Sequence, residues 1–512
     1  MKQGICFILF LQIHLAGFAQ NVTITPDGIT PASASDYLRL NYEDILALPT
    51  PSKGDIAFDN SFDCLRIFNG NRWLCSYQSP LEPTPQAKGL VHGGNAYTGN
   101  IINDIETDGE GNIVVIGTFA NSIDFGGVTL ISAGNTDIFI AKYAYDGSLI
   151  WANRGGGNSS DIGHALAIDQ FGNVYATGRT EGNSSFGGIS VSAGYEDGFL
   201  AKYDKNGNVV WVQLMVGTGR QEVYDLALDA FGNPYLVGYF QNTMTVGTTS
   251  VVSSGQYDLF LANFNDEGTL KWVKSAGGAG QDLAWAIAVD ATGNAYITGR
   301  SSGSPSFGTI LLSGLSVQGD AFIAKYNPAD DKWEFAKAGS AAGSSGNGKS
   351  IKVYQSNVFI SGEFDSSVSF DGVSISSAGF KDIFLARYDL NGNLNLLKAL
   401  GGTGTDGNEQ MTIDSEGQIY LTGDFYGTTI FDGNSKTSNG DKDLYIARLN
   451  DLGEVVWLQT MGGTEIESGK AVDVDEQGNV FAAGFFRGKV EFGITTFNSA
   501  LDTHFFITRT EK

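Results

Sequence analysis

Short runs of apolar residues recur along the chain, and each run is bounded by glycine, asparagine or aspartate. One run occurs seven times, as GNIVVIG, GNVYATG, GNPYLVG, GNAYITG, SNVFISG, GQIYLTG and GNVFAAG. Runs of this length that are rich in β-branched and aromatic residues and flanked by turn formers are typical of β-strands. The pattern therefore predicts a protein of short strands in which one strand recurs many times.

The recurring run has a nearly constant period. Its last glycines are separated by 60 to 63 residues and are Gly117, Gly178, Gly238, Gly299, Gly362, Gly423 and Gly484. Each period also contains a run like DIFIAKY, a turn followed by an outer strand as in DKNGNVVW, and a short opening strand as in HALAID. We number these periods as repeats 1 to 7, and a complete repeat contains four predicted strands.

Four short strands in each repeat predict the blade of an all-β propeller. A single twisted sheet exposes two apolar faces, which neighbouring blades around a ring can cover. We predict a seven-bladed propeller over residues 88–512, with about 61 residues in each repeat. Repeat 7 stops after its third strand, HFFITRT, and the segment KGLVH before repeat 1 has no partner, so we expect KGLVH to supply the missing strand. A linear stack of repeats is the alternative.

Two phrases of repeat 2 resemble a known repeat. Residues 169–178 and 199–203, DQFGNVYATG and FLAKY, are similar to the bacterial β-propeller repeat called SBBP. The resemblance implies an exported bacterial propeller, and that family has no single established activity. Repeat 5 departs from the pattern, because VYQSNVFISG lacks the aspartate and the first glycine. We expect this to weaken the first turn of repeat 5 and to leave its strands intact.

The residues before the repeats predict an exported chain with a small first domain. Residues 1–19 combine one lysine, an apolar run and small residues before a cut near Ala19, as in a signal peptide. A membrane anchor is the alternative, although the apolar run is shorter than the ~20 residues of a span. We assign residues 20–78 to a small β-meander and the proline-rich residues 79–89 to a linker. The predicted destination is the periplasm, the outer surface or the medium.

Two cysteines remain after cleavage, in CLRIFNGNRWLC. If Asn69 and Gly70 form a two-residue hairpin turn, Cys64 lies opposite Cys75 at a distance that a disulfide can bridge. An oxidising compartment favours that bond. Two reduced thiols that only pack together are the alternative, and a different turn would offset the pair.

Composition excludes some partners. The 31 Lys+Arg residues against 56 Asp+Glu residues leave a net charge of −25, which repels phosphate backbones, so we expect no nucleic-acid partner.

No later segment is long and apolar enough to span a membrane, and we expect a monomer. We predict no cofactor and no metal. The sequence GTGTDG at residues 402–407 matches a dinucleotide-binding motif. A predicted strand follows it instead of a helix, so it does not predict a dinucleotide site.

Residues that differ between repeats are better functional candidates than residues that recur. One position near the start of the first strand differs between repeats, and its seven side chains should together encircle one mouth of the central channel. It is occupied by Asn103, His164, Tyr224, Trp285, Lys349, Glu409 and Lys470. Three positions earlier, we expect a second set of polar residues at the same mouth. Its acidic members are Asp161, Asp282, Asp406 and Glu467.

Residues that recur are expected to support the scaffold. Aspartates such as Asp169 in the first turn and Asp197 before the third strand should accept hydrogen bonds from turn amides. Loops such as Asp204–Asn208 only superficially resemble calcium loops.

We predict that the protein is a non-enzymatic scaffold that binds a protein or glycan through its loop-rich face. A polysaccharide hydrolase or lyase that uses the acidic residues of the mouth and a purely structural surface component are the alternatives. A solvated funnel that binds nothing is a further alternative for the mouth itself.

Overall fold

The structure, a computed structural model, describes residues 87–93, 99–339, 344–493, 495–500 and 502–510, together with the backbone of six strands between residues 23 and 78. The chain divides into two compact units, Met1–Pro83 and Thr84–Lys512. The predicted signal peptide at residues 1–19 lies outside the described residues, as do residues 79–86 of the predicted linker. Residues 87–89 of that linker belong to a strand.

The first unit contains a hairpin and a small sheet. Strands β1 (Thr23–Thr25) and β2 (Gly28–Thr30) form the hairpin. The sheet has the order β3 (Arg39–Leu40), β4 (Ile56–Asp59), β5 (Cys64–Phe68) and β6 (Trp73–Gln78), in which β3 and β4 are parallel and the others are antiparallel.

The predicted opposition of the two cysteines is wrong. Phe68 pairs with Trp73, so four residues connect β5 and β6 instead of two, and a bulge shifts the register further. As a result Cys75 pairs with Arg66, and Cys64 pairs with Gln78. The register of β5 and β6 depends on the length of the turn between them, which the residue types alone did not determine. The disulfide itself stays a prediction.

The second unit begins with β7 (Ala87–Gly93) and continues through the repeats. Repeat 1 contains β8 (Ile101–Thr107), β9 (Ile113–Phe119), β10 (Ser122–Asp124), β11 (Thr129–Ile131), β12 (Asp137–Tyr143) and β13 (Leu149–Gly157). Repeat 2 contains β14 (Ile162–Ile168), β15 (Val174–Thr180), β16 (Asn183–Phe186), β17 (Ile189–Ser192), β18 (Asp197–Tyr203) and β19 (Val209–Gly217). Repeat 3 contains β20 (Gln221–Leu228), β21 (Pro234–Phe240), β22 (Thr243–Val246), β23 (Thr249–Val252), β24 (Asp258–Phe264) and β25 (Leu270–Ala276).

The later repeats follow the same plan with local changes. Repeat 4 contains β26 (Asp282–Val289), β27 (Ala295–Ser301), β28 (Ser306–Phe307), β29 (Ile310–Leu311), β30 (Asp320–Asn327) and β31 (Lys332–Gly339). Repeat 5 contains β32 (Gly346–Tyr354), β33 (Asn357–Phe370), β34 (Val373–Asp389) and β35 (Leu394–Leu400). Repeat 6 contains β36 (Thr405–Asp406), β37 (Gln410–Ile413), β38 (Ile419–Tyr426), β39 (Thr428–Phe431), β40 (Asn434–Thr437), β41 (Asp443–Leu449) and β42 (Val455–Met461). Repeat 7 contains β43 (Glu467–Val474), β44 (Val480–Phe486), β45 (Lys489–Phe492), β46 (Thr495–Asn498) and β47 (His504–Thr510).

Each of repeats 1 to 6 contains four antiparallel main strands, which we call a, b, c and d, and a small hairpin is inserted between b and c. Repeat 7 contains only a, b and c. In repeat 2 these main strands are β14, β15, β18 and β19. Strands b and c are buried along their whole length in repeats 1, 2 and 3, because neighbouring sheets cover both of their faces. In repeat 5 the inserted hairpin continues strands b and c, which makes β33 and β34 long. The prediction of an all-β propeller is confirmed at this level, and the described residues contain no helix.

The inserted hairpin joins neighbouring repeats. Strand β16 of repeat 2 pairs with β13 of repeat 1, and β22 of repeat 3 pairs with β19 of repeat 2. Single bridges such as Gly277–Ser306 and Gly463–Val490 make the same connection elsewhere. The outer strand d of each of these repeats is therefore covered in part by the repeat that follows.

Strand β7 supplies the outer strand of the sheet of repeat 7. It pairs antiparallel with β47, so this sheet has the order β43, β44, β47 and β7. The segment KGLVH thus lies in the position expected from the two ends of the repeat region. None of the residues that the structure describes forms a helix with the length and hydropathy needed to cross a membrane.

Candidate functional site

The variable position of strand a lines one cavity. All seven of its residues contact a space of about 650 Å³, and we call them the channel ring. They are Asn103, His164, Tyr224, Trp285, Lys349, Glu409 and Lys470. Their convergence follows from the fold, because strand a of each repeat packs against strand a of the next.

A β-bulge brings each of these side chains to the cavity. In strand β14, Gly163 pairs with Gly178 and Ala165 pairs with Thr177, so His164 is the extra residue on its strand. The same shift occurs in strand a of repeats 1, 3, 4, 5 and 7, and repeat 6 breaks its strand at this point instead. Bulges re-aim side chains and are frequent beside functional sites.

The last glycine of each recurring run makes room for the bulge. Gly178 lies opposite it on strand b, and a Cβ at this position would overlap the carbonyl oxygen of Ile162. The equivalent glycines of the other repeats have the same conflict with strand a. The recurring glycine and the variable ring residue are therefore two parts of one backbone feature.

One half of the channel ring is aromatic. The rings of His164 and Tyr224 stack with centroids 4.5 Å apart, and the ring of Trp285 meets Tyr224 edge-on at 4.3 Å. Nε2 of His164 lies 2.7 Å from Oε1 of Glu222, and Oε2 of the same carboxylate accepts a hydrogen bond from the hydroxyl of Tyr239. Burial alone would raise the pKa of Glu222, but His164 and its other partners lower it to about 2. The Nε1 atom of Trp285 is buried without a hydrogen-bond partner among the described residues.

The other half of the channel ring is ionic. Glu409 lies between Lys470, at 2.5 Å, and Lys349, at 3.5 Å. Burial favours the neutral carboxyl, but the two ammonium groups hold the pKa of Glu409 below its usual value. The ring can therefore offer an aromatic surface and a fixed array of donors and acceptors to one ligand.

The floor of the cavity carries residues that the sequence analysis did not identify. Asp104, Glu106, Asp225 and Lys352 line the cavity. The negative charges of Glu106, Asp225, Asp473 and Asp104 raise the pKa of Lys352 although burial would lower it. Burial raises the pKa of Asp104 to about 6 and that of Asp225 to about 7. Asp104 and Asp225 lie one position after a residue of the channel ring, and Asp473 lies three positions after one. This offset was the signal by which the sequence could have identified them.

The floor also joins the repeats to one another. The amide of Leu166 in repeat 2 donates to Asp104 in repeat 1 at 2.8 Å, and the amide of Ile287 in repeat 4 donates to Asp225 in repeat 3. Gln410 of repeat 6 donates to Asp104 at 2.7 Å. The inner strands of distant repeats therefore approach each other across the cavity.

The second predicted set of site residues does not lie at the cavity. Asp161, Asp282, Asp406 and Glu467 are buried at the start of strand a and do not line the cavity. Each accepts a hydrogen bond from the amide of a glycine four residues earlier, as Asp406 does from Gly402 at 2.8 Å. The prediction that they lie at the mouth is wrong. The loop that enters each sheet turns a backbone amide inward, and the buried carboxylate accepts its hydrogen bond.

The recurrent aspartates have the structural role that was predicted. Asp169 accepts hydrogen bonds from the amides of Phe171 and Asn173 in the first turn. Asp197 accepts them from Gly194 and Gly217 before strand c. Among the residues that the structure describes, no group of three or more His, Cys, Asp or Glu side chains is arranged to hold a metal ion.

Glu467 gives a prediction for the pH dependence of stability. Burial raises its folded-state pKa to about 8 from 4.5, so the unfolded chain releases its proton at lower pH than the folded chain. Its contribution to stability is therefore lost as the pH rises from about 4.5 through 8. We expect Glu467→Gln to stabilise the protein by about 1–2 kcal/mol at pH 9 and to have little effect at pH 4.5.

The measurement is thermal unfolding of both proteins in metal-free buffer across this pH range. Gln221 occupies the same position in repeat 3, so a glutamine fits the loop. A difference in stability that does not change with pH would contradict the prediction.

Comparison with known proteins agrees with the fold. The model of the SBBP β-propeller repeat matches residues 154–184. The chain is 24% identical to the regulatory protein FlaEY of Caulobacter vibrioides over 70% of its own length and 40% of that protein. It is 24% identical to the uncharacterized WD repeat-containing protein L264 of Acanthamoeba polyphaga mimivirus over 32% of its length and 14% of that protein. The chain thus spans less than half the length of either relative.

The WD40 propeller domain of Doa1 is similar in structure, with 9% identity, a TM-score of 0.43, and coverage of 83% of this chain and 97% of that one. The match over residues 154–184 supports a β-propeller repeat fold for the chain.

Proposed function

We propose that the protein is an exported, non-enzymatic scaffold that binds a protein or a glycan at the channel ring. One observation carries the proposal. The residues that recur in every repeat serve turns and strand packing, whereas the residues that differ line one cavity with aromatic and ionic halves. Concave sites with a few convergent polar groups are the usual location of ligands.

The proposal includes a ring of seven blades. Contacts between repeat 7 and repeat 1 support closure, since the amide of Thr107 donates to Asp473 at 2.7 Å. A Cβ on Gly93 in β7 would lie 2.7 Å from the carbonyl oxygen of Asp124 in repeat 1. Export rests on the apolar segment at residues 1–19 and on the resemblance to an exported repeat.

The hydrolase or lyase alternative was predicted to use Asp161, Asp282, Asp406 and Glu467, and none of these carboxylates lines the cavity. Asp161 and Asp282 take their hydrogen bonds inside the loops that enter their own sheets. Neither is available to act on a substrate in the cavity.

The test is a pull-down and glycan-array screen with the mature protein and with Trp285→Ala plus Glu409→Ala. This change removes one residue from each half of the ring, and we expect at least a tenfold loss of affinity for any ligand of the mouth, equivalent to about 1.4 kcal/mol. Ligand affinity is then measured by calorimetry.

A matched control removes an aromatic and an acidic residue elsewhere. Phe231 is 83% exposed in the first turn of repeat 3, and Glu491 is exposed on the inserted hairpin of repeat 7. Phe231→Ala plus Glu491→Ala should retain binding. If both double variants bind as tightly as the parent protein, the ring is not the site.

A further inference from the structure

The channel cavity has an apolar wall and a polar wall. Strands a of repeats 2, 3 and 4 form the apolar wall, and beyond the channel ring every residue that they place at the cavity is apolar except Asp225. Strands a of repeats 5, 6, 7 and 1 form the polar wall, whose lining residues are all polar except Ile351 and Val353. A ligand that fills the cavity therefore meets apolar contacts on one side and hydrogen-bonding groups on the other.

Small side chains make space along the apolar wall. Three positions after the channel ring, each strand of this wall has an alanine that lines the cavity, and these are Ala167, Ala227 and Ala288. The same position in repeats 1 and 5 holds Glu106 and Lys352, which line the cavity from the polar wall. The ring residues of the apolar wall are aromatic, so the flat apolar face of a ligand can pack against them and against the alanines.

Most polar groups of the cavity already have partners within the protein. The carboxylate of Asp225 accepts hydrogen bonds from two backbone amides. Gln410 donates to Asp104 and accepts a hydrogen bond from the amide of Val472. Glu409 lies between the two lysines of the channel ring. These groups hold the repeats together, and their hydrogen-bonding capacity is largely used.

Lys352 and Glu106 differ from these groups. Both line the cavity, and neither forms a hydrogen bond or a close ion pair with another residue in the part of the chain that the structure describes. The nearby carboxylates raise the pKa of Lys352 and keep it ionised. The floor of the cavity therefore offers an ammonium group and a carboxyl group that the fold itself does not use.

The chemistry of these two groups favours an uncharged ligand. A hydroxyl group can accept a hydrogen bond from the ammonium group of Lys352 and donate one to the carboxyl group of Glu106. An anion would pair with Lys352 but would be repelled by the carboxylates of the floor, and a cation would be repelled by Lys352. A ring with hydroxyl groups on its edge and C–H groups on its face matches both walls of the cavity.

We propose that the channel cavity binds an uncharged pyranose sugar, with its apolar face against repeats 2 to 4 and its hydroxyl groups toward Lys352 and Glu106. This inference rests on the proposed function, because it identifies the ligand of the same site as a sugar and not a protein. The cavity volume of about 650 Å³ lies within the range of about 300–1,000 Å³ that is usual for pockets that enclose small molecules.

The test is a titration of the full chain with the methyl glycosides of glucose, galactose and mannose in both anomeric forms, followed by calorimetry and NMR. We expect at least one to bind with a dissociation constant of about 1–10 mM, as suits a ligand of few atoms. The uronic acid and the amino sugar of the same configuration should bind at least about tenfold more weakly at pH 7. An oligosaccharide that ends in the same sugar identifies the source, since it binds as tightly if the ligand is the end of a glycan and more weakly if the ligand is a free sugar.

Two variants test the two walls separately. Ala227→Leu should fill space at the apolar wall, and Glu106→Ala should remove a hydrogen-bonding group from the polar wall. Each should weaken binding of the methyl glycoside about tenfold or more. Ala230→Leu and Glu110→Ala are the matched controls, because both residues are exposed in the first turns of repeats 3 and 1 and neither lines the cavity. Thermal unfolding of every variant distinguishes a loss of binding from a loss of fold.

The proposal is overturned if no methyl glycoside binds the parent protein at about 50 mM, several times the expected dissociation constant. It is also overturned if the uronic acid or the amino sugar binds as tightly as the uncharged sugar, a comparison that needs no variant, or if Ala227→Leu and Glu106→Ala bind as tightly as their controls. A protein partner that is lost in Trp285→Ala plus Glu409→Ala, while no sugar binds the parent protein, would overturn this inference and support the proposed function.

Discussion

A chain that begins after Gly93, and so lacks β7, is expected to lose on the order of 5 kcal/mol of unfolding free energy. Six residue pairs join β7 to β47, and each backbone hydrogen bond contributes about 1 kcal/mol net. Without β7, strand β47 becomes an unpaired edge. Since domains of ordinary stability unfold with about 5–15 kcal/mol, such a chain would be largely open or aggregated.

The comparison is made by denaturant unfolding of chains that begin at Thr84 and at residue 94. The first chain retains β7 and is the control, because the compact unit itself begins at Thr84. Peptide 84–93 added in excess should partly restore the shorter chain. Equal midpoints for the two chains would show that β7 does not close the sheet of repeat 7.

Gly178→Ala is expected to destabilise the protein by about 3 kcal/mol, at the upper end of the usual effect of overpacking. The new Cβ would overlap the carbonyl oxygen of Ile162 and would lie 3.0 Å from the ring of Phe199. Strand β14 can avoid the overlap only by moving or by losing its bulge. His164 would then leave the channel ring.

Gly109→Ala is the matched control, since a Cβ on Gly109 meets nothing within 4 Å. We expect it to change stability by no more than about 0.5 kcal/mol. Chemical denaturation measures both effects, and the NMR signals of His164 report its displacement. A Gly178→Ala protein with parental stability would contradict the pairing of glycine and bulge.

The fold was predictable because its determinants recur. Each repeat contains the same strand and turn residues, and seven copies reveal a pattern that one copy does not. The position of His164 and Trp285 was predictable for the same reason, since equivalent positions of stacked sheets face one axis. Their roles as ligand contacts stay predictions.

The acidic residues could not be assigned from residue type. Asp406 is polar and near a glycine-rich loop, and such a residue serves a solvated mouth or a buried turn equally well. The difference lies in the direction of the loop amides, and Gly402 turns its amide toward Asp406. Cys64 and Cys75 show the same limit, because their register depends on the backbone of one turn.

The floor of the cavity escaped prediction for another reason. Asp104 and Lys352 belong to different repeats, and the influence of each on the other depends on the width of the channel. A single repeat contains no information about that width. Their pKa shifts arise only when distant strands meet.

The bulge of strand a allows specificity to evolve separately from stability. Its geometry is set by backbone pairing and by a glycine on strand b, so the extra residue itself is left free to vary. In this chain that position already accepts an amide, an imidazole, a phenol, an indole, two amines and a carboxylate. A new recognition surface can therefore arise by substituting these side chains while the architecture that presents them is inherited unchanged.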